Sequence, residues 1–232
     1  MSASRVIFVG CGPGAPDLLT VRAVRAIGEA DIVIWNRSLI EEQAITELAR
    51  PEVEIIAWPP ATERDVLEAF DRARSEDLVV VRLKGGDPTL FGAMDTDLAA
   101  VRERELAYEI VPGISAASAT AAALGREIAR TEAPLLLAAA TDLARDDAAR
   151  VGVAAWNAGR DPAALQRALA ARGLAADTAC TVVVDVSRRG ETLAPCRLDE
   201  LAETIGDLGV GALTFVLADP APDDVHQGPS DR

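Results

Sequence analysis

Apolar residues gather into short runs along this chain, and the runs alternate with stretches in which apolar positions recur every three or four residues. Residues 5–9, 31–36, 53–57 and the run opening at Val79 carry β-branched and large aliphatic residues in succession, which predicts strands buried on both faces. Between them, 20–29 (Val21, Val24, Ile27) and 63–74 (Val66, Leu67, Phe70) predict helices that lay one face on a sheet. Glu63, Arg64, Glu68, Asp71 and Arg72 fall on the solvated side of the second. Leu98 and Val101 mark a further helix, and an Ala-rich one follows to Leu124, closed by Gly125. The pattern then recurs more loosely, with strands at 135–138, 152–156, 181–184 and 213–217 and helices at 162–172 and 198–207. Asp161 and Pro162 supply a cap and a first helical residue. Such alternation predicts an α/β fold of mostly parallel or mixed sheets. From Asp219 onward the period is lost, and 220–232 read as a flexible tail.

Two turns interrupt this pattern with chemistry. In Val79-Val-Val-Arg-Leu-Lys-Gly-Gly-Asp-Pro-Thr-Leu-Phe-Gly92 a strand stops on Gly85-Gly86-Asp87-Pro88, where backbone can turn sharply and approach a ligand. A glycine turn at a strand's carboxyl end opens the crevice in which open α/β sheets bind small molecules, although an ordinary βα turn uses the same residues. The first strand ends on Gly10-Cys-Gly-Pro-Gly-Ala-Pro-Asp-Leu-Leu-Thr20. Gly10, Gly12 and Ala15 fit the places of a dinucleotide fingerprint. Against that reading, Pro13 and Pro16 push the helix start downstream, and the second strand ends in Asn36 instead of an acid. The loop is therefore expected to be rigid and not a phosphate cradle, with Asp17 facing the helix start as its cap.

Composition narrows the class. Aromatics make up only 3% of the 232 residues, which favours helices packed on sheets over an aromatic-rich barrel. No apolar run reaches the length of a membrane span. Three cysteines (Cys11, Cys180, Cys196) without a close pair argue against a disulfide framework or a zinc site and suit a reducing cytoplasm. The single histidine, His226, lies in the tail, which disfavours histidine catalysis or metal binding. A formal charge of −14 repels nucleic acid and anionic membranes, so an anionic substrate needs a local group of Arg and Lys. A cytoplasmic globular protein with no nucleic-acid or membrane partner is expected.

The first loop, followed by Ala30-Asp-Ile-Val-Ile34, then the Gly85-Gly86-Asp87-Pro88 turn, then Tyr108-Glu-Ile-Val-Pro-Gly-Ile-Ser-Ala116, resembles the tetrapyrrole (corrin/porphyrin) methylases in motif, order and spacing. The resemblance reaches nearly to Asp219. It implies two α/β subdomains, 1–112 and 113–219, enclosing a cleft with the methyl donor S-adenosylmethionine between them, and a homodimer. Carried over residue by residue, the donor site falls on Pro13, Gly85, Gly86, Asp87, Leu90, Ser115 and Ala116, and further on Asn157 and Ala212. The substrate it implies is a polycarboxylate tetrapyrrole, for which Arg37, Lys84, Arg126 and Arg130 are the candidate cations. No metal site is implied. Such a precursor is an electron-rich enamine whose ring carbon attacks directly, so alignment and proton handling suffice and no catalytic dyad is required.

Departures from the family bear on the substrate. Uroporphyrinogen methylases have Asp where this chain has Ala15 and again where it has Asn36. Precorrin-4 methylases resemble it at Ala15, at Ser38-Leu-Ile40 and at Ala123-Leu-Gly-Arg-Glu127. Arg82-Leu-Lys-Gly-Gly-Asp-Pro88 is closer to the uroporphyrinogen group, and the segment 127–152 is shorter than a precorrin-4 enzyme would have. The leading expectation is C11 methylation of precorrin-4 or its cobalt form, for corrin (cobalamin) biosynthesis. Uroporphyrinogen III methylation, a non-catalytic binding protein and, more distantly, a nucleotide-dependent oxidoreductase stay open.

Overall fold

The apolar runs of the first half become one parallel sheet. The computed structural model describes residues 4–129, 135–139, 152–156, 158–209 and 215–219. Its contacts divide the chain into two compact units, Met1–Ala116 and Ala117–Arg232. In the first, β1 (Arg5–Gly10), β2 (Ile32–Asn36), β3 (Glu54–Trp58), β4 (Val79–Lys84) and β5 (Ala107–Val111) lie in the order β3-β2-β4-β1-β5, every neighbouring pair parallel. The three interior strands are nearly continuous buried runs; the edge strands β3 and β5 are largely half-buried or exposed. That contrast follows from covering both faces of a parallel sheet with helices.

Helices α1 (Val21–Glu29) and α2 (Glu42–Leu48) cover one face, where Ala23, Ile27 and Ile45 pack on Val9, Val33 and Val81. Helices α3 (Glu63–Ser75) and α4 (Met94–Glu103) cover the other, where Phe70 and Val101 pack with Phe8, Ile34 and Val80. Thr20, not Asp17, caps α1: its Oγ1 accepts from the Ala23 amide at 3.1 Å. Asp17 sits exposed in a short turn, Pro16–Leu18, because the two prolines insert that turn before the helix begins.

The strand order places the glycine turns. From β1 the chain leaves toward β2 on one side, and from adjacent β4 it leaves toward β5 on the other. Strands β1 and β4 therefore flank the point where the winding reverses, and their carboxyl ends open a crevice. Both glycine loops start there.

In the second unit β6 (Leu135–Ala139), β7 (Gly152–Trp156), β8 (Ala179–Val184), β9 (Thr192–Arg197) and β10 (Phe215–Asp219) form the order β6-β7-β10-β8-β9. Only β6 and β7 are parallel. Helix α5 (Ala116–Ala123) ends with Gly125 at φ +65°, the Arg126 amide donating to the Ala121 carbonyl and the Gly125 amide to Ala122, a paired-bond stop that glycine permits. Helix α6 (Pro162–Ala171) starts on Asp161, whose Oδ1 accepts from the Ala164 amide at 2.8 Å, and α7 (Leu201–Leu208) follows a short turn, Leu198–Glu200. The last strand runs two residues further than expected, through Asp219. Residues 220–232, His226 among them, lie outside the described residues. No helix among the described residues is long and apolar enough to cross a membrane.

Candidate functional site

Three strand ends meet through bare backbone. The Cys11 amide donates to the Lys84 carbonyl at 2.8 Å, which continues the β1–β4 pairing one residue past the strands. Gly12 and Gly86 then exchange two bonds, Gly86 N–H to Gly12 C=O at 2.8 Å and Gly12 N–H to Gly86 C=O at 3.2 Å. Both glycines have left-handed backbone, φ +69° and +60°, which a side chain would strain. The third loop, after β5, closes on the same point. A Cβ on Gly113 would stand 2.1 Å from the Gly86 oxygen, and one on Gly10 would stand 2.6 Å from it. Glycine is thus required at Gly10 and Gly113 by close approach.

Asp87 ties two of these loops. Its Oδ2 accepts from the Gly113 amide at 3.3 Å, and its Oδ1 accepts from the Thr89 amide (2.8 Å) and hydroxyl (2.6 Å). Beside it, a Cβ on Gly86 would stand 3.7 Å from both the Ala116 amide nitrogen and Ser115 Cα, an ordinary contact distance. Gly86, Asp87, Ser115 and Ala116 therefore come together at the carboxyl edge of the first sheet. Pro13 is buried on the first loop next to Gly12. Gly85 is covered by Leu39, whose Cδ2 lies 2.8 Å from where its Cβ would be. Leu90 is half exposed on the β4 loop, its amide bonded to the Asp87 carbonyl at 3.1 Å. Asn157 and Ala212 lie outside the described residues.

The candidate cations are placed differently from one another. Arg37 is exposed just after β2, and Arg126 is half-buried just after α5. Arg130 lies outside the described residues. Lys84, at the end of β4, is 12% exposed and its Nζ is 2.5 Å from Asp97 Oδ2. Arg82 reaches the same oxygen through Nε at 2.8 Å, with its guanidinium 6.0 Å from the centre of the Trp58 ring. Burial holds the Lys84 ammonium below the ordinary lysine range; the bond to Asp97 opposes this, and repulsion from Arg82 adds to it. Sequence reasoning missed Arg82, Asp97 and Trp58. The available signal was Arg82 and Lys84 two apart on an interior strand, where the alternating face should be apolar.

The two positions that lack a family carboxylate have local duties. Asn36 Oδ1 accepts from the Ser38 amide at 2.9 Å and the Ser38 hydroxyl at 2.8 Å, forming the turn after β2. The Ala15 carbonyl accepts from the Leu18 amide at 3.1 Å, holding the turn that delays α1. No group of three or more metal-ligating side chains is found among the described residues.

The precorrin-4 C(11)-methyltransferase of Pseudomonas aeruginosa is 35% identical over 127 residues, 55% of this chain and 50% of that protein. The chain thus spans half the length of that relative in the match. The structure of a cobalt precorrin-4 methyltransferase superposes with a TM-score of 0.84, at 24% identity, over 95% of this chain and 98% of the other, which shows the shared fold. A uroporphyrin-III C-methyltransferase from Thermus thermophilus, solved in complex with S-adenosylhomocysteine, superposes with a TM-score of 0.73 at 26% identity over 92% of each chain. The sequence profile of the Tetrapyrrole (Corrin/Porphyrin) Methylases matches residues 5–202. With the profile matched over residues 5–202, well over half of its length, the chain belongs to the tetrapyrrole (corrin/porphyrin) methylase family.

Proposed function

We propose that this chain is an S-adenosylmethionine-dependent C-methyltransferase acting on a tetrapyrrole precursor of corrin biosynthesis, with C11 of precorrin-4 or cobalt-precorrin-4 as the acceptor. The observation that carries the donor assignment is the cradle of Gly10, Gly12, Gly86 and Gly113. It presents backbone with no side chain in the way, at the point where the sheet's winding reverses. The donor supplies an electrophilic methyl group on a sulfonium. The chain's task is to hold the acceptor carbon and that methyl in line, and positioning of this kind accounts for much of a displacement's rate. Asp87 contributes by fixing the Gly113 loop against the Gly86 turn. Pro13, Leu90, Ser115 and Ala116 complete the reading of the donor site in the first unit, and Asn157 and Ala212 extend it.

Ala15 and Asn36 bear on the acceptor. Neither titrates, and both are occupied in turn bonds, so neither handles the proton that uroporphyrinogen must lose. The similarity to the Pseudomonas precorrin-4 enzyme supports the same choice. A second reading, methylation of uroporphyrinogen III, draws on the Arg82-to-Pro88 segment and on the likeness to the Thermus enzyme. Incubating the protein with labelled S-adenosylmethionine and a panel of tetrapyrroles decides between them. Label at C11 of a tetramethylated intermediate is expected; robust formation of precorrin-2 from uroporphyrinogen would overturn the substrate. We also propose a homodimer, on the family resemblance, so sedimentation equilibrium should return twice the chain mass. A concentration-independent monomer, with and without donor, would sink that part.

A further inference from the structure

We propose that Arg82 and Lys84, held in place by the Asp97 carboxylate they share, form a receptor for one carboxylate of the acceptor. The inference rests on the reading of that acceptor as a polycarboxylate tetrapyrrole.

Two cations meet one anion here: both Arg82 Nε and Lys84 Nζ bond to Asp97 Oδ2. The side chains are 18%, 12% and 11% exposed, so the surplus positive charge is mostly withdrawn from water. Withdrawing an unbalanced charge is costly unless an anion completes it. The surroundings add to that cost. Arg82 and Lys84 share a face of β4 with Val80, and Ile56, Trp58, Met94 and Leu98 pack around that side of the sheet. In an apolar setting an added carboxylate is attracted more strongly than it would be in water.

Donor capacity is left over. Among the described residues, the Arg82 Nη groups find no acceptor, and they are not sealed from solvent. Asp97 is the one carboxylate bonded to Lys84 there, and an ammonium has three N–H groups to give. A structural ion triad would be expected to balance its charges and use its donors. This one does neither.

Position links the group to the reaction. Lys84 is the register partner of Gly10, and its carbonyl takes the Cys11 amide, so the ammonium rises from the residue at the rim of the glycine cradle. A carboxylate bound here would anchor the acceptor's edge beside the donor loops. In a chain of net charge −14, such an anchor also offsets the long-range repulsion felt by a polyanion.

The test uses charge direction as its readout. Uroporphyrin I, a fluorescent octacarboxylate porphyrin, is titrated against the full chain at low salt without donor. Lys84→Met and Arg82→Met should each weaken binding by about tenfold, the effect of one charge-assisted hydrogen bond. Asp97→Asn should tighten it by about threefold, because the competing anion is gone while the shape is kept. A triad that only supports the fold would weaken binding in all three variants. Unchanged or weaker binding by Asp97→Asn therefore overturns the inference, as does indifference to the two cation variants. Should a methionine variant unfold, as read by circular dichroism, Lys84→Arg and Arg82→Lys take its place. Both should still bind the porphyrin, since the charge is conserved. Failure of the parent chain to bind the porphyrin overturns this inference alone. Failure to bind S-adenosylmethionine in a separate calorimetric titration overturns the donor reading instead.

Discussion

Gly113→Ala is expected to abolish measurable S-adenosylmethionine binding and to destabilise the fold by about 3 kcal/mol, the upper end of what overpacking a tight site costs. The added carbon would lie 2.1 Å from the Gly86 carbonyl oxygen, 2.9 Å from Gly10 Cα and 3.0 Å from Gly10 C. Each of these is backbone, so no rotamer relieves the overlap. Moving the Gly86 oxygen away would strain its bond from the Gly12 amide, and with it the pairing that sets the first loop on the second. The clash therefore spreads through all three loops. A control separates this from a general intolerance of alanine. Gly206 lies inside α7, and a Cβ there would meet nothing within 4 Å. Gly206→Ala should stabilise the protein by about 0.5–1 kcal/mol, by helix propensity and a less flexible unfolded chain. Urea unfolding and calorimetric donor titration of both variants give the answer. A Gly113→Ala protein with the parent's midpoint and affinity would remove the cradle from the site.

Elements whose burial is repeated residue after residue were legible in the chain itself. Residues 6–9, 32–35 and 79–81 are apolar throughout because interior strands of a covered parallel sheet admit little else. Helix α3 was legible for the related reason that Val66 and Phe70 recur at helical spacing on a charged background. Where burial is thin the signal fails. Helix α2 has seven residues and buries only Ala44 and Ile45, too short a stretch for a period to show. Strand β9 contains Pro195, which reads as a strand breaker. It is tolerated because β9 is an edge strand and the bonded pairs fall at alternate positions: Leu198 N–H reaches Thr178 C=O, which puts Pro195 opposite Thr181 in a non-bonded pair. Glycine loops could be found because close backbone approach demands one residue type. Asp97 could not: nothing local shows that the first turns of α4 carry it onto Arg82 and Lys84, 15 and 13 residues back along the chain. The same holds for Thr20, which displaces Asp17 as cap only once the turn at Pro16–Leu18 is seen.

Asp87→Ala is expected to lower S-adenosylmethionine affinity by roughly tenfold to hundredfold, the loss that follows deletion of a charged acceptor serving a partly buried donor. One carboxylate oxygen receives the Gly113 amide from the neighbouring loop; the other organises the turn through the Thr89 amide and hydroxyl. Asp87→Asn divides these two duties. The amide oxygen still accepts from Thr89, so the turn after β4 is kept. The amide nitrogen then faces the Gly113 N–H, donor against donor, and the link between loops is lost. If the link is what shapes the donor site, Asp87→Asn should bind S-adenosylmethionine within about threefold of Asp87→Ala while unfolding in urea close to the parent, because only one of three bonds to the carboxylate has gone. Should Asp87→Asn keep the parent's affinity, the turn alone matters, and the closing of the Gly113 loop on Gly86 is a feature of the fold and not of the donor site.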